Sequence, residues 1–128
     1  MEIKGKCIVP GKVTGETIVS YEPISFLGDI DPKTGQITAA RHPLKGLSVK
    51  GKILVFPFGK GSTVGSYVIY QLLKNGTAPI AFLTQNVDPI VAVGAIISGI
   101  PMMDDIDINK IPNGIKLSIN TDLGLISF

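Results

Sequence analysis

Lys52-Ile-Leu-Val-Phe-Pro-Phe58 runs into Gly59-Lys60-Gly61-Ser62-Thr63, then into Val64-Gly-Ser-Tyr-Val-Ile-Tyr-Gln-Leu-Leu-Lys74, closed by Asn75-Gly76. An apolar run, a glycine turn and apolar positions at helical spacing read as strand, turn and helix. A strand that empties through glycines into a helix start leaves several backbone N–H groups pointing at one spot. The helix dipole favours negative charge there as well. The stretch is therefore a natural anion site, with Ser62 standing on it.

Downstream the pattern keeps alternating between types: strand 52–57, helix 63–74, strand 79–84, helix 89–98, strand 100–103, and strands near 115–119 and 124–128. This half, 52–128, reads as α/β layers. Upstream, residues 1–51 read as a β-rich half, with short strands over 5–9, 15–20, 24–28, 36–39 and 47–49 and a turn at Asp31-Pro-Lys-Thr-Gly35. No repeat, low-complexity segment or charged linker separates the halves, so 1–128 is expected to be a single α/β domain.

Local chemistry sets the helix ends. Ser62 or Thr63 can cap the first helix, and Gly76 fits the left-handed position past its end. The second has Asp88 as N-cap and Pro89 at its first position, and Gly99-Ile-Pro101 stops it. Ile90, Val91, Val93, Ile96 and Ile97 make it apolar over most of its circumference, so it is expected to be buried on more than one side, in a core or an interface.

The 128 residues, 45% hydrophobic, suffice for one domain with a real core. Only 17% are charged, which points to a surface partly covered by a partner. With net charge +2 and lysines interspersed among acidic residues, there is no basic stripe for nucleic acid. The N-terminus lacks an apolar signal core, and no apolar run approaches the roughly 18 residues needed to span a bilayer, so the chain is expected to be cytoplasmic. One cysteine and one histidine cannot supply a four-ligand zinc site or the thiolates of an iron–sulfur cluster, so any metal must be held elsewhere. Cys7, early in a strand, reads as a small buried apolar residue without a redox role.

Several chemistries compete for the glycine turn. Gly59-x-Gly61-x-x-x-Gly65 is a relaxed dinucleotide fingerprint, but the acidic residue that should end the next strand is absent: Pro79–Thr84 leads into Gln85-Asn86. No Gly-Lys-Ser/Thr stands at the offset of an ATPase phosphate loop. Ser62 with His42 would suggest acyl transfer, yet there is neither a nucleophile elbow nor a third member. Read from the residues alone, Ser62 is first a helix cap and His42 a turn residue hydrogen-bonded before Pro43.

Five stretches, in order and spanning nearly the full length, carry a resemblance: Gly28-Asp-Ile-Asp-Pro-Lys-Thr-Gly35, Arg41-His-Pro-Leu-Lys-Gly46, Lys52 to Thr63, Gly76-Thr-Ala-Pro79 and Ile100-Pro101. Together they resemble the separate swivel-domain chain of the aconitase X group. The resemblance implies a β/β/α swivelling-domain sandwich, like the fourth domain of aconitase, closing over an active site shared with a larger partner subunit. It implies that the partner holds a 4Fe–4S cluster on its own cysteines, and that this chain is a hydro-lyase subunit, active only in that heteromer.

The reaction so implied is removal of water from (R)-5-phosphomevalonate to give trans-anhydromevalonate 5-phosphate, in the archaeal mevalonate route to isoprenoids. Ser62, as alkoxide, would take the proton from the carbon next to the carboxylate while the partner's iron acts on the departing hydroxyl. The N–H groups of the 61–65 turn and the helix dipole would stabilise that anion. Lys60, Gly61, Thr63, Arg41 and His42 are expected at the substrate. Loop geometry accounts equally well for the first three, and Arg41 and His42 can instead order the subunit interface. Asp29 belongs to the same polar cluster, and Asp31 reads as a turn aspartate bonded to its own backbone. Two other readings stand beside this one: another hydroxy-acid substrate within the family, such as cis-3-hydroxyproline, and a non-catalytic regulatory module that binds a small anion.

Overall fold

The computed structural model describes residues Met1–Phe128. Its elements run β1 (Glu2–Lys4), β2 (Lys6–Val9), β3 (Lys12–Val19), a one-turn α1 (Phe26–Asp29), β4 (Ile53–Phe56), α2 (Gly65–Lys74), β5 (Ala81–Thr84), α3 (Pro89–Ser98), β6 (Met102–Asp104), a 3-10 turn (Ile108–Lys110), β7 (Lys116–Asn120) and β8 (Leu125–Ser127). The apolar runs at 53–56 and 81–84 are buried at every position, as strands covered on both faces must be.

All eight strands join in one sheet of order β1-β8-β7-β3-β4-β5-β6-β2. The long β3 serves two partners. Lys12–Glu16 pair antiparallel with β7, and Thr17–Val19 pair parallel with β4, from which β5 and β6 continue in parallel. Strands of the N-terminal and C-terminal halves are thereby interleaved. β1 and β2, at opposite ends of the order, are separated in the chain by Gly5 alone, so the sheet folds back on itself.

The period of two along each strand sorts the core into two layers. Ile53, Val55, Ala81, Leu83 and Met103 face the antiparallel ribbon through Ile3, Leu117, Ile119 and Ile126. Leu54, Phe56, Phe82 and Met102 face the helices through Val68, Ile69, Leu72, Val91 and Ala95. The result is the β/β/α layering expected from the resemblance. No helix is long and apolar enough to cross a membrane.

Three local expectations are corrected. Residues 24–28 do not form a strand: Ile24 and Leu27 make isolated bridges, to Gly59 and Ile30, and Leu27 and Gly28 turn the chain with non-helical dihedrals inside α1. Residues 36–39 and 47–49 make isolated bridges, Ile30 to Ile37 and Gln36 to Ser48, rather than strands. Cys7 is exposed, not buried, because the β2–β6 pairing shifts register between Cys7 and Val9 and breaks the inside–outside alternation. The outer stripe of α3 is not covered within this chain: Val93, Ile96 and Ile97 are 46%, 60% and 59% exposed. Only Val91, Gly94, Ala95 and Ser98 of that helix are buried.

The ends of α3 follow the local rules. The Asp88 side chain accepts from the amides of Ile90 and Val91, Pro89 opens the helix, and Gly99 ends it at φ 67°. Gly76, at φ 71°, follows α2 in the same left-handed region.

Candidate active site

Because β3, β4, β5 and β6 are parallel, the loops that follow β3, β4 and β5 gather at one edge of the sheet, where ligands of open α/β sheets bind. The loop after β4 carries Gly59 to Val64. It is tied to the segment after β3 by two backbone bonds, Ile24 N–H to the Phe58 carbonyl (3.2 Å) and Lys60 N–H to the Ile24 carbonyl (2.9 Å). On its other side Gln85 and Asn86, just after β5, both donate to the Pro57 carbonyl, at 3.1 and 2.9 Å.

Ser62 is half-buried in this loop. The helix starts later than the sequence predicts: Val64 is the N-cap of α2, with no side-chain cap, so neither Ser62 nor Thr63 occupies that position. Ser62 Oγ instead accepts the Val64 N–H at 3.1 Å, and the Ser62 carbonyl accepts from Gly65 at 3.0 Å. The amides of Gly61, Ser62 and Thr63, and those of Ser66 and Tyr67 in the first turn of α2, donate to no acceptor in the chain. An uncapped helix start thus leaves its donors and its dipole available beside a serine hydroxyl that already receives one of them.

Two glycines give the loop its path. Gly61 stands at φ 94°, a region that favours glycine, and a Cβ there would run into Ser25 Oγ. At Gly59 a Cβ would collide with Asp88 Oδ2 and Val91 Cγ2. The Gly59-x-Gly61 spacing that resembles a dinucleotide fingerprint is accounted for by these two approaches, one to each flanking loop. No local sequence pattern assigns Ser25 or Asp88 to this site. They come from distant parts of the chain, and the one local signal was the Asp88-Pro89 cap itself.

The other expected residues divide. Lys60 and Thr63 are exposed in the serine loop, and Thr63 accepts the Ser66 hydroxyl through its carbonyl at 3.1 Å. His42 is placed differently from the expectation of a substrate contact: it is only 8% exposed and both ring nitrogens are engaged within the chain. Nδ1 accepts the Leu44 N–H at 3.1 Å, which leaves Nε2–H facing Ser20 Oγ at 3.0 Å. Ser20 directly follows β3 and donates to the Glu22 carbonyl at 2.7 Å. His42 therefore braces the loop that bears Arg41, and no hydrogen bond joins it to Ser62. Arg41 is exposed, with a guanidinium that makes neither hydrogen bond nor ion pair; the chain's ion pair is Lys52–Glu16, 2.9 Å. Asp29 Oδ2 accepts the Ser25 N–H at 2.8 Å, and Asp31 Oδ1 accepts from Lys33 at 2.9 Å, the turn role read for it.

No grouping of three or more histidine, cysteine or acidic side chains could hold a metal ion, and the one cysteine lies on an edge strand. An iron–sulfur cluster therefore does not fit the residues of this chain. None of the molecule's four cavities is lined by Ser62, which sits on an open edge.

Comparison with known proteins adds a consistent set of likenesses. The family model described as the aconitase X swivel domain matches residues 2–128. The phosphomevalonate dehydratase small subunit of Thermococcus onnurineus is 54% identical over 126 residues, 98% of this chain and 97% of that one. The protein of the same name from Methanosarcina acetivorans is 59% identical over 104 residues, 81% of this chain and 72% of its own. The crystal structure of Thermococcus kodakaraensis aconitase X in its holo-form superposes with a TM-score of 0.97 at 53% identity, covering 99% of this chain and 97% of that one. A relative solved by NMR in solution gives a TM-score of 0.91 at 41% identity, covering 100% and 98%.

Proposed function

Since the chain belongs to the aconitase X swivel-domain family, we propose that it is the small subunit of a phosphomevalonate dehydratase, a heteromeric hydro-lyase completed by a larger subunit. The observation that carries this is the run of relatives above 50% identity, matched over nearly their whole length, that bear this one name. Its substrate is (R)-5-phosphomevalonate and its product trans-anhydromevalonate 5-phosphate. The chemistry removes a proton from the carbon beside the carboxylate and hydroxide from the next carbon, leaving the double bond between them.

Ser62 is the base. A serine hydroxyl is a poor base at neutral pH unless its anion is stabilised, and this loop offers that stabilisation. The Val64 N–H already donates to Oγ at 3.1 Å, and the α2 dipole is positive at the same end. A backbone donor aimed at a developing oxyanion is worth about 10²–10³ in rate. Lys60, Thr63 and Arg41 are exposed around this edge and supply polar contacts to a substrate that carries both a carboxylate and a phosphate.

The iron–sulfur cluster implied for the family falls to the larger subunit, and no step assigned here runs through it. The open edge around Ser62 agrees with a site that the larger subunit closes. The chain works in the cytoplasm with that subunit.

The test is anaerobic co-purification with the larger subunit, followed by assay of (R)-5-phosphomevalonate against cis-3-hydroxyproline, with each subunit alone as control. Turnover of the phosphorylated acid by the pair alone is the expected result. Turnover of the hydroxyproline alone moves the chain to another substrate of the family. Ligand binding by this chain without turnover by the pair makes it a non-catalytic module.

A further inference from the structure

We propose that Asp88 is a positioning residue for the Ser62 loop, in addition to capping α3; its importance for turnover rests on the reading of Ser62 as the base. The cap uses only half of the carboxyl group. Oδ1 alone accepts both free amides of the first turn, Ile90 N–H at 2.8 Å and Val91 N–H at 2.9 Å. Oδ2 is buried and has no hydrogen-bond partner. Buried polar atoms are nearly always paired, so one left over at the edge of a functional loop calls for a role that capping does not supply.

Its surroundings provide that role. Asp88 Oδ2 abuts Gly59 so closely that no Cβ fits between them, with Asp88 Cγ 3.2 Å from the position such a Cβ would take. The Gly59 N–H has no acceptor in the chain. On the opposite side the residues flanking Gly59 are held by one residue, Ile24, through Phe58 and Lys60. Gly59 is thus gripped between Ile24 and Asp88, three residues before Ser62. The position of Oδ2 sets how far the loop can lean toward α3, and so where the Ser62 hydroxyl stands. Serine or asparagine would cap the helix equally well, and neither offers a second acceptor oxygen toward Gly59.

The experiment compares Asp88→Asn and Asp88→Ser with wild type. The asparagine keeps an oxygen for both cap bonds and turns a donor toward Gly59. The serine caps with its hydroxyl and leaves the Gly59 side empty. Amide hydrogen exchange of the full chain, followed by NMR, is expected to be several-fold faster at Lys60 and Val64 in both variants. Ala92 and Ile100, whose bonds belong to α3 and its end, should exchange as in wild type. In the pair with the larger subunit, kcat should fall about tenfold or more with KM within about twofold, as a displaced catalytic group requires. Wild-type exchange at Lys60 and Val64 in both variants overturns the proposal whatever kcat does. Faster exchange at Lys60 and Val64 with normal kcat, in a pair whose wild type turns over, keeps the positioning role and overturns Ser62 as the base. The exchange measurement does not depend on the substrate, so an error in the assigned reaction leaves it readable.

Discussion

Ser62 Oγ accepts the Val64 N–H at 3.1 Å, so the side chain that would act as base also organises the turn into α2. The two roles differ greatly in size. One side-chain bond in a half-exposed turn contributes about 1 kcal/mol or less to stability, whereas loss of a general base costs about 10²–10⁴ in rate. Ser62→Ala should therefore unfold in urea within about 1 kcal/mol of wild type. It should co-purify with the larger subunit and lose dehydration by at least about a hundredfold. Near-normal turnover would reduce Ser62 to its turn bond.

Gly61 carries two constraints, and a double substitution separates them. Gly61→Ala meets a φ of 94° and the Ser25 side chain together. The left-handed backbone costs a non-glycine residue about 1–2 kcal/mol, and the clash adds to it. Ser25→Gly in the same chain removes the clash and leaves the dihedral cost. Activity of the pair should fall steeply in Gly61→Ala and recover in part in the double variant, with denaturation midpoints in the same order. Equal damage in both would place the whole cost in the backbone.

These contacts also divide what is legible in the sequence from what is not. Asp88-Pro89 and Gly99 bound α3 where the sequence predicts, because capping and the left-handed stop are decided within a few residues. The strand–turn–helix around Ser62 is legible from its glycines and apolar spacing, but its cap is not: α2 begins at Gly65 behind Val64, with no side-chain cap. The strand expected over 24–28 was not. Ile24 and Phe26 alternate as in a strand, yet their burial is achieved by a turn that sets Phe26 edge-on to Phe56 and Phe82, with ring centroids 5.9 and 5.7 Å away. Cys7 misleads similarly, since a register shift in a strand pair cannot be seen from either strand alone. At the site, the approaches of Ser25 to Gly61 and of Asp88 to Gly59 join segments more than twenty residues apart, which no local pattern encodes.

His42 links two such segments, and its chemistry makes the link testable. With Nδ1 accepting from Leu44 and Nε2 facing Ser20, His42→Phe strands a partly buried amide, at a cost of about 1–3 kcal/mol. Asparagine can restore the acceptor toward Leu44, so His42→Asn should regain about 1 kcal/mol of that loss in urea denaturation. KM of the assembled enzyme should stay at the wild-type value in His42→Asn. A rise in KM without a loss of stability would return His42 to the substrate.

Arg41, next in the chain, has the opposite character: exposed and unpaired, it can give up its charge without loss to the fold, and so can Lys60 in the serine loop. A charge-assisted hydrogen bond to a bound anion is worth about 1.5–3 kcal/mol. Arg41→Ala and Lys60→Ala should each raise KM for phosphomevalonate about tenfold or more, leaving kcat within about twofold, since such contacts bind ground and transition states alike. Denaturation midpoints should not move, as expected of surface side chains. Mevalonate, which lacks the phosphate, tells the two anions of the substrate apart. A side chain on the phosphate loses its effect when mevalonate is the competing ligand, while one on the carboxylate keeps it. Loss of co-purification with unchanged KM in the residual complex would instead place that residue at the boundary with the larger subunit.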